Sequence, residues 1–401
     1  MKKVLLLGGS YFQIPSIQTA KRLGYYAITC DYLPENPGHK FADEYHNVST
    51  TDKDAVLNLA KKLNVDGVVC YASDPAATTA AYVSEKMGFP TSPYKSVEIL
   101  SNKDLFRKFL AENNFNTPKA KGYHESEIEK MLAEVAELKF PVMVKPVDSS
   151  GSKGVKKIER AEDLKPAVED ALKYSRCKRF VVEEFIEKKN YLVAGDGFIV
   201  DGKLTFYCFA NGHRAENGIN PYVPIGHSWP CEKSAEVQKK IYNDLQKMLS
   251  ILKMKTGALN FDIIVDKNDN VYVVEIGARC GGNYIPQAIK YATGIDLVEY
   301  TIKAAMGGSC ADLKQVVPVG FWSTYILHSQ QAGKLSAIQI DEEFKKNNIV
   351  EYDLFVKTGD YIKAFTGSDG TLGRMILKFD SQDEMFQSIS NMDDKIKVVL
   401  E

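Results

Sequence analysis

Two acids and an arginine stand nearest to chemistry in this sequence. Asp262, Glu275 and Arg279 lie in T-G-A-L-N-F-D-I-I-V-D-K-N-D-N-V-Y-V-V-E-I-G-A-R-C-G-G-N, residues 256–283. Leu259, Phe261, Ile263 and Val265 alternate with Asn260, Asp262 and Ile264, and residues 271–276 are rich in β-branched and aromatic types. Between them Lys267 to Asn270 form a polar turn, so the pattern predicts a hairpin with both acids near one end of one sheet face. Solvated strand charges are the plain alternative. A carboxylate inside an apolar strand is costly, however, unless something pairs with it. A divalent cation is such a partner, because Mg²⁺ takes one or two carboxylates and fills its other positions with water and phosphate oxygens. Arg279, just before Gly281 and Gly282, is placed to reach an anion held by that metal.

A second set of residues suits phosphate. Ser101-Asn-Lys-Asp104 opens an amphipathic helix (Leu105, Phe106, Phe109, Leu110) that stops at Asn113-Asn114. A lysine at a helix start opposes the dipole, which favours a binding role for Lys103. Phe140-Pro-Val-Met-Val-Lys-Pro146 reads as a strand with Lys145 inside its apolar run, and a buried lysine requires an anion. Asp148-Ser-Ser-Gly-Ser-Lys-Gly154 follows, a loop of small residues rich in backbone N–H groups and hydroxyls that suit polyphosphate. It is not the G-x-x-x-x-G-K-[ST] pattern. Phe180 to Ile186 (F-V-V-E-E-F-I) reads as a strand able to present backbone groups to a purine ring.

These residues need scaffolding, and the chain is long enough to supply it. It has 401 residues, enough for two to four domains. It is 44% hydrophobic and 26% charged with a net charge of −1, which makes no case for nucleic-acid or membrane-surface binding. No C-x-x-C pair occurs among the seven cysteines, so neither zinc nor a disulfide framework is indicated. Met1 to Ser10 resembles a short signal, but its apolar run ends at Gly8-Gly9, and a first strand of a cytoplasmic α/β domain fits better. Strands are expected at Val4–Leu7, Ala27–Cys30 and Val65–Tyr71, with helices at about Pro15–Leu23 and Asp54–Leu63, giving a parallel sheet with right-handed crossovers. The G-G-S turn with Asp31 is only half of a dinucleotide fingerprint. Gly8–Tyr11 and Ser73-Asp74, at the carboxyl ends of such strands, are placed either to touch a small molecule or simply to turn the chain.

In order, Lys103, Lys145, the Gly/Ser loop, V-E-E-F-I, Asp262 and E-I-x-x-R resemble the ATP-grasp superfamily of carboxylate–amine ligases. P-E-N-P-G-H-K-F-A-D (34–43) and D-P-A-A-T (74–78) resemble its preATP-grasp domain. The end of the chain is similar to the small domain of the L-amino-acid-ligase and biotin-carboxylase-like branch, which also takes in carbamoyl-phosphate-synthase-like enzymes. The resemblance implies a fold of mixed α/β and α+β type. Residues 1–100 would form an open parallel sheet, 101–315 an ATP-grasp domain with a mobile lid at about 118–187, and 316–401 a small β-rich α+β domain. It implies that Lys103 and Lys145 hold the α and β phosphates of ATP, and that Ser149, Ser150, Gly151, Ser152 and Gly154 belong to a loop closing over the triphosphate. Glu183, Glu184, Phe185 and Ile186 would line the adenine. Asp262 and Glu275 would bind Mg²⁺, with Mn²⁺ an allowed substitute, and Arg279 would stabilise the transferring phosphoryl group.

Two positions depart from the family pattern. Where many relatives have Glu for the ribose hydroxyls this chain has Asn190, or Glu187 in another alignment. Where many have a metal-binding Asn, in E-I-N-x-R, it has Gly277, with Asn260 or water as the compensating ligand. Arg214 suits either a substrate carboxylate or a surface salt bridge. His227 and Trp229 are acceptor-site candidates, Gly281 and Gly282 allow anion binding at a helix start, and His328 reads as structural. The implied activity is activation of a carboxylate as an acyl-phosphate for attack by an amine. A bicarbonate-activating enzyme and a silent ATP-binding subunit are the alternatives. The implied partners are small carboxylates and amines, and a homodimer is allowed.

Overall fold

A computed structural model describes residues 1–135 and 138–401. Residues 136–137, within the expected lid, lie outside the described residues. The N-terminal apolar runs form β1 (Lys3–Leu7), β2 (Tyr26–Asp31), β3 (Glu44–Asn47) and β4 (Gly67–Cys70), all parallel in the order β3-β2-β1-β4. Val4 to Leu7 are all buried, because a parallel strand covered by helices on both faces is apolar without alternation. The expected helices span Ile14–Arg22 and Lys53–Leu63. Two more follow β4, at Asp74–Met87 and Tyr94–Ser101. The alanines of D-P-A-A-T-T-A-A are buried against the sheet, and Asp74 stands at the carboxyl end of β4, where ligands of open α/β sheets bind.

The helix Lys103–Glu112 leads into a second sheet. Its strands are β5 (Ala120–His124), β6 (Val142–Pro146), β7 (Lys156–Ile158) and β8 (Arg179–Glu184), antiparallel in the order β5-β8-β6-β7. The helices Ile128–Glu134 and Leu164–Lys173 cover one face, with Met131, Leu164 and Val168 packed on Val142, Val144 and Phe180. Glu184 ends β8, so Phe185 and Ile186 lie beyond the strand expected to contain them.

The remaining strands are β9 (Leu192–Val200), β10 (Lys203–Arg214), β11 (Pro224–Trp229), β12 (Gly257–Val265), β13 (Val271–Gly277), β14 (Phe321–Leu327), β15 (Gly333–Ile340), β16 (Ile349–Leu354), β17 (Tyr361–Ile362), β18 (Gly373–Phe379) and β19 (Ile396–Leu400). Eight of them build one sheet, β13-β12-β9-β10-β11-β14-β18-β16. β9 and β14 are buried on both faces, whereas β12 buries one face and leaves Asn260, Asp262 and Ile264 partly exposed on the other. Leu259, Phe261 and Ile263 pack with Leu245 and Met248 of the helix Ala235–Ile251. Phe198, Phe206 and Trp229 pack with Ile289 and Ile302 of the helices Ile285–Thr293 and Leu297–Ala305.

The sequence reading passes over the β9–β10 hairpin and β11. The missed signal is Asp201-Gly202, a two-residue turn between apolar runs. β14, β16 and β18, from the expected small terminal domain, continue the same sheet, and only β15, β17 and β19 form a separate one. A helix at Gln382–Ser390 comes before β19. Among the described residues no helix is long and apolar enough to cross a membrane, and all seven cysteines are free.

Candidate active site

The two acids meet through an irregularity in the hairpin. β12 and β13 pair Val265 with Val271, Ile264 with Tyr272 and Ile263 with Val273, after which the register shifts and Asp262 pairs with Glu275. Val274 is the extra residue of a bulge. In an unbroken ladder Glu275 would oppose Phe261 and share its face, which is core. The bulge re-aims it, so that Glu275 faces the cleft beside Asp262, while Asn260 opposes Gly277. Arg107 donates to the Val274 carbonyl at 2.8 Å, which satisfies a group the bulge frees from the ladder.

Asp262 is held above the ordinary carboxylate range, first by burial and further by Glu275, with Arg214 opposing. Arg214 Nη2 approaches its carboxylate at 3.2 and 3.3 Å. Lys103 Nζ stands 3.8 Å from Glu275. Two hard oxygen ligands on one face, both partly exposed to the cleft, are a donor set that suits Mg²⁺.

Lys103 begins its helix and donates to the Ser149 carbonyl at 2.9 Å, so it lies under the Gly/Ser loop. Lys145 finds its anion inside the protein. Its ammonium is 2.5 Å from Glu183, whose carboxylate also takes Arg107 Nε at 2.7 Å. The side chain of Glu183 is therefore sandwiched between two cations and does not turn to a ligand. Burial raises its carboxyl, but Arg107 and then Lys145 outweigh this and hold it at about 2. Burial pushes the Lys145 ammonium down against the pull of Glu183.

Because the folded value of Glu183 lies below its unfolded one, its stabilisation is complete above about pH 4.3. That stabilisation is lost as pH falls towards about 2. Glu183→Gln leaves two cations buried without their shared carboxylate and is expected to destabilise the fold by about 3–5 kcal/mol. Urea denaturation at pH 7 measures this, and a loss below about 1 kcal/mol would contradict the buried-pair account.

A first cleft lies between β6, β8 and the β12–β13 edge. Lys103, Lys145, Ser149 to Lys153, Glu183 to Ile186, Asp262 and Glu275 line it, together with Met143, Leu192, Ile264 and Tyr272. Glu184 also accepts from the Lys139 backbone. The Gly/Ser loop is docked across the cleft. Ser152 Oγ donates to the Tyr222 carbonyl at 2.9 Å, and Asn220 Nδ2 donates to the Ser152 carbonyl at 3.0 Å. A Cβ built on Gly151 would stand 2.5 Å from Ser368 Oγ. These few polar contacts hold a loop with almost no apolar anchor, so its local stability is low. Limited proteolysis is expected to cut at Ser149–Gly154 without nucleotide and to be suppressed by ATP with magnesium. Equal cutting rates would remove the lid role.

A second cavity adjoins the first. It is lined by Phe12, Ala72, Asp74, His227, Asn260, Arg279, Gly282 and Asn283, and it shares Ser150, Gly151, Ser152, Arg214, Asp262 and Glu275 with the first cleft. Arg279 projects into it with Nε donating to Asp74 Oδ1 at 2.7 Å and Nη2 at 2.6 Å from the same oxygen. Burial opposes that guanidinium's charge and Asp74 more than restores it.

His227 lines the cavity and His213 packs behind it. Burial, and then Arg214, pushes both imidazoles down, His213 to about 3, so each is neutral near pH 7. Arg214 Nη1 and Asn283 Oδ1 are buried without a hydrogen-bond partner among the described residues. Asn283 and Tyr284 both hold positive φ, 52° and 65°, conformations that cost energy and concentrate at functional sites. Gly281 offers its N–H inward: the buried Asp196 accepts it at 2.9 Å and Asn260 Nδ2 at 2.8 Å. That amide is thus taken by an internal anion, and Gly282 alone of the pair lines the cavity. Asp196 is raised to about 6 by burial, against its hydrogen bonds from Asn260 and Gly281.

Residues 107–286 match the family model described as D-ala D-ala ligase C-terminus, and residues 325–401 that of L-amino acid ligase C-terminal domain 2. L-amino acid ligase from Bacillus licheniformis superposes with a TM-score of 0.82 at 21% identity, covering 100% of this chain and 99% of that one. The biotin carboxylase domain of Hydrogenobacter thermophilus 2-oxoglutarate carboxylase, solved with MgADP and bicarbonate, superposes with a TM-score of 0.75 at 15% identity, covering 99% and 90%. These are ATP-grasp proteins. The chain has the ATP-grasp fold. Formate-dependent phosphoribosylglycinamide formyltransferase of Prochlorococcus marinus is 34% identical over 257 residues, 62% of this chain and 61% of that protein. The chain thus matches less than two thirds of that relative's length.

Not every residue the ATP-grasp resemblance nominates reaches the site. Asn190 is exposed and its carbonyl accepts from Lys188, and neither it nor Glu187 lines the cleft. Gly154 turns the chain away, where a Cβ would meet Tyr174 and Ala171. Trp229 is core, fully buried beside Phe206 and Ile289. His328 Nδ1 donates to the Ile326 carbonyl of its own strand and its ring packs on Phe365.

Two residues of the site and one pairing are absent from the sequence reading as chemistry. Arg107 is one, although Lys103, Phe106, Arg107 and Leu110 follow helical spacing and place it on the buried stripe. Asp196 is another, an acid within the apolar run of β9, the same signal that singles out Asp262. The third is the pairing of Asp74 with Arg279, which spacing cannot reveal.

Proposed function

We propose that this ATP-grasp chain is an ATP-dependent ligase that activates a carboxylate as an acyl-phosphate and couples it to an amine, releasing ADP and phosphate. The observation that carries the reading is the junction of two cavities at Ser150–Ser152, Arg214, Asp262 and Glu275. A phosphoryl group can pass there from one ligand to another without leaving the protein. The nucleotide would lie over Lys103 and Lys145, its base against Met143, Phe185, Ile186 and Tyr272. The carboxylate substrate would sit in the second cavity, where Arg214 Nη1 has a free donor.

In the first step a carboxylate oxygen bonds to the γ-phosphorus and the bond to the β-phosphate oxygen breaks, with ADP leaving. In the second, the amine nitrogen bonds to the carbonyl carbon, the carbon–oxygen bond to phosphate breaks, and the amine loses a proton. Magnesium at Asp262 and Glu275 would offset charge on the phosphates. Arg279 offers a fixed fork of donors to the transferring group, and the docked loop excludes water.

The names of the relatives support a carboxylate–amine pair: formate and phosphoribosylglycinamide in one, amino acids in another. A third, the Hydrogenobacter thermophilus domain, was solved with bicarbonate. We read residues 1–100, 101–315 and 316–401 as its functional units, and the free cysteines accord with the cytoplasm. The test is ADP release over a matrix of amino acids, small carboxylates including formate, and amines. Release that requires one member of each class supports the ligase. Release with bicarbonate alone indicates a bicarbonate-activating enzyme, and nucleotide binding with no release across the matrix overturns the proposal.

A further inference from the structure

The family pattern E-I-N-x-R is E-I-G-A-R in this chain, and the structure gives the glycine a use. A Cβ built on Gly277 would stand 3.0 Å from Asp74 Oδ1 and 3.1 Å from Arg279 Cζ and Nε. That is closer than ordinary side-chain packing on both partners at once, and an asparagine there would need more room still. Asp74 belongs to the N-terminal sheet domain, 205 residues from Arg279 in sequence. It reaches the guanidinium across the space that the missing side chain leaves. Both residues line the second cavity.

We propose that Asp74 is the positioning residue of Arg279, and that Gly277 is the opening through which its carboxylate reaches the guanidinium. The inference rests on the phosphoryl-transfer role proposed above for Arg279. An arginine has a long flexible stem, and a donor helps a transition state only if it is already aimed. The guanidinium is held by Asp74 Oδ1 through Nε and Nη2 and by the carbonyl of its neighbour Cys280 through Nη1 at 3.1 Å. A carboxylate that only joined the two domains would have no reason to spend both of these donors on one oxygen beside the reacting groups.

The test is kinetic. Asp74→Asn keeps the shape and removes the charge; kcat is expected to fall about 10- to 100-fold, as for other partners that orient a working ligand. KM for ATP should stay within about twofold. In an Arg279→Lys background the same change should alter kcat by less than about twofold, because the group it positions is already gone. Gly277→Ala attacks the contact from the other side and should reproduce the kcat loss with ATP binding kept. It decides the question on the same readouts if Asp74→Asn fails to fold. Wild-type kcat in these variants, an Asp74 effect that multiplies fully in the Arg279→Lys background, or a raised KM for ATP with kcat unchanged would each overturn the inference while leaving the ligase reading standing. Wild-type protein that releases no ADP on any substrate pair overturns the ligase reading, and the inference falls with it.

Discussion

Replacing Glu275 with glutamine is expected to lower turnover by at least about 10³-fold while leaving the fold intact, the scale of several kcal/mol of transition-state stabilisation that a bound metal supplies. Glutamine is nearly isosteric but takes one formal charge from a pair of carboxylates set side by side by the Val274 bulge. The fold should tolerate this, because Glu275 is about a third exposed and its one ion-pair contact is Lys103 at 3.8 Å. With one oxygen charge left on Asp262, magnesium should no longer strengthen nucleotide binding. Calorimetric titration of ADP with and without magnesium reads that directly, and thermal unfolding reads the fold. A variant with near-normal turnover, or one whose ADP affinity responds to magnesium as wild type does, would remove Glu275 from the metal site.

For Arg279→Lys the expectation is a fall in kcat of about 10²-fold or more, the cost of losing one preorganised donor. Lysine keeps the charge but not the fork. It can meet Asp74 or the phosphoryl oxygens, whereas arginine gives Nε and Nη2 to Asp74 and Nη1 to the Cys280 carbonyl and still has a second N–H on each Nη. ATP affinity should change little, since Lys103 and Lys145, the proposed phosphate ligands, line the first cleft and Arg279 does not. Steady-state kinetics should show kcat and kcat/KM falling together. A raised KM for ATP alone would make Arg279 a ground-state nucleotide contact, and a raised KM for the carboxylate alone would make it a substrate anchor.

The sequence by itself determined the local elements and the identities of most charged groups. The hairpin at 257–277, the helix from Lys103, the strand carrying Lys145 and the first parallel strands were all legible, because each depends on a period of two or about 3.6 residues and on turn residues between them. The ordered lysines, acids and arginine were legible as phosphate chemistry for the same reason: their types state what they need. What those groups found was decided by tertiary structure. Lys145 took a protein carboxylate 38 residues away, Gly281 took Asp196 at 85, and Arg279 took Asp74 at 205. Even the meeting of Asp262 and Glu275, thirteen residues apart, depended on a bulge whose freed carbonyl is satisfied by Arg107, 167 residues away. A buried charge must be paired, and the sequence shows that demand. Which partner meets it depends on how close-packed layers bring distant strands and helices together, and no local period encodes that.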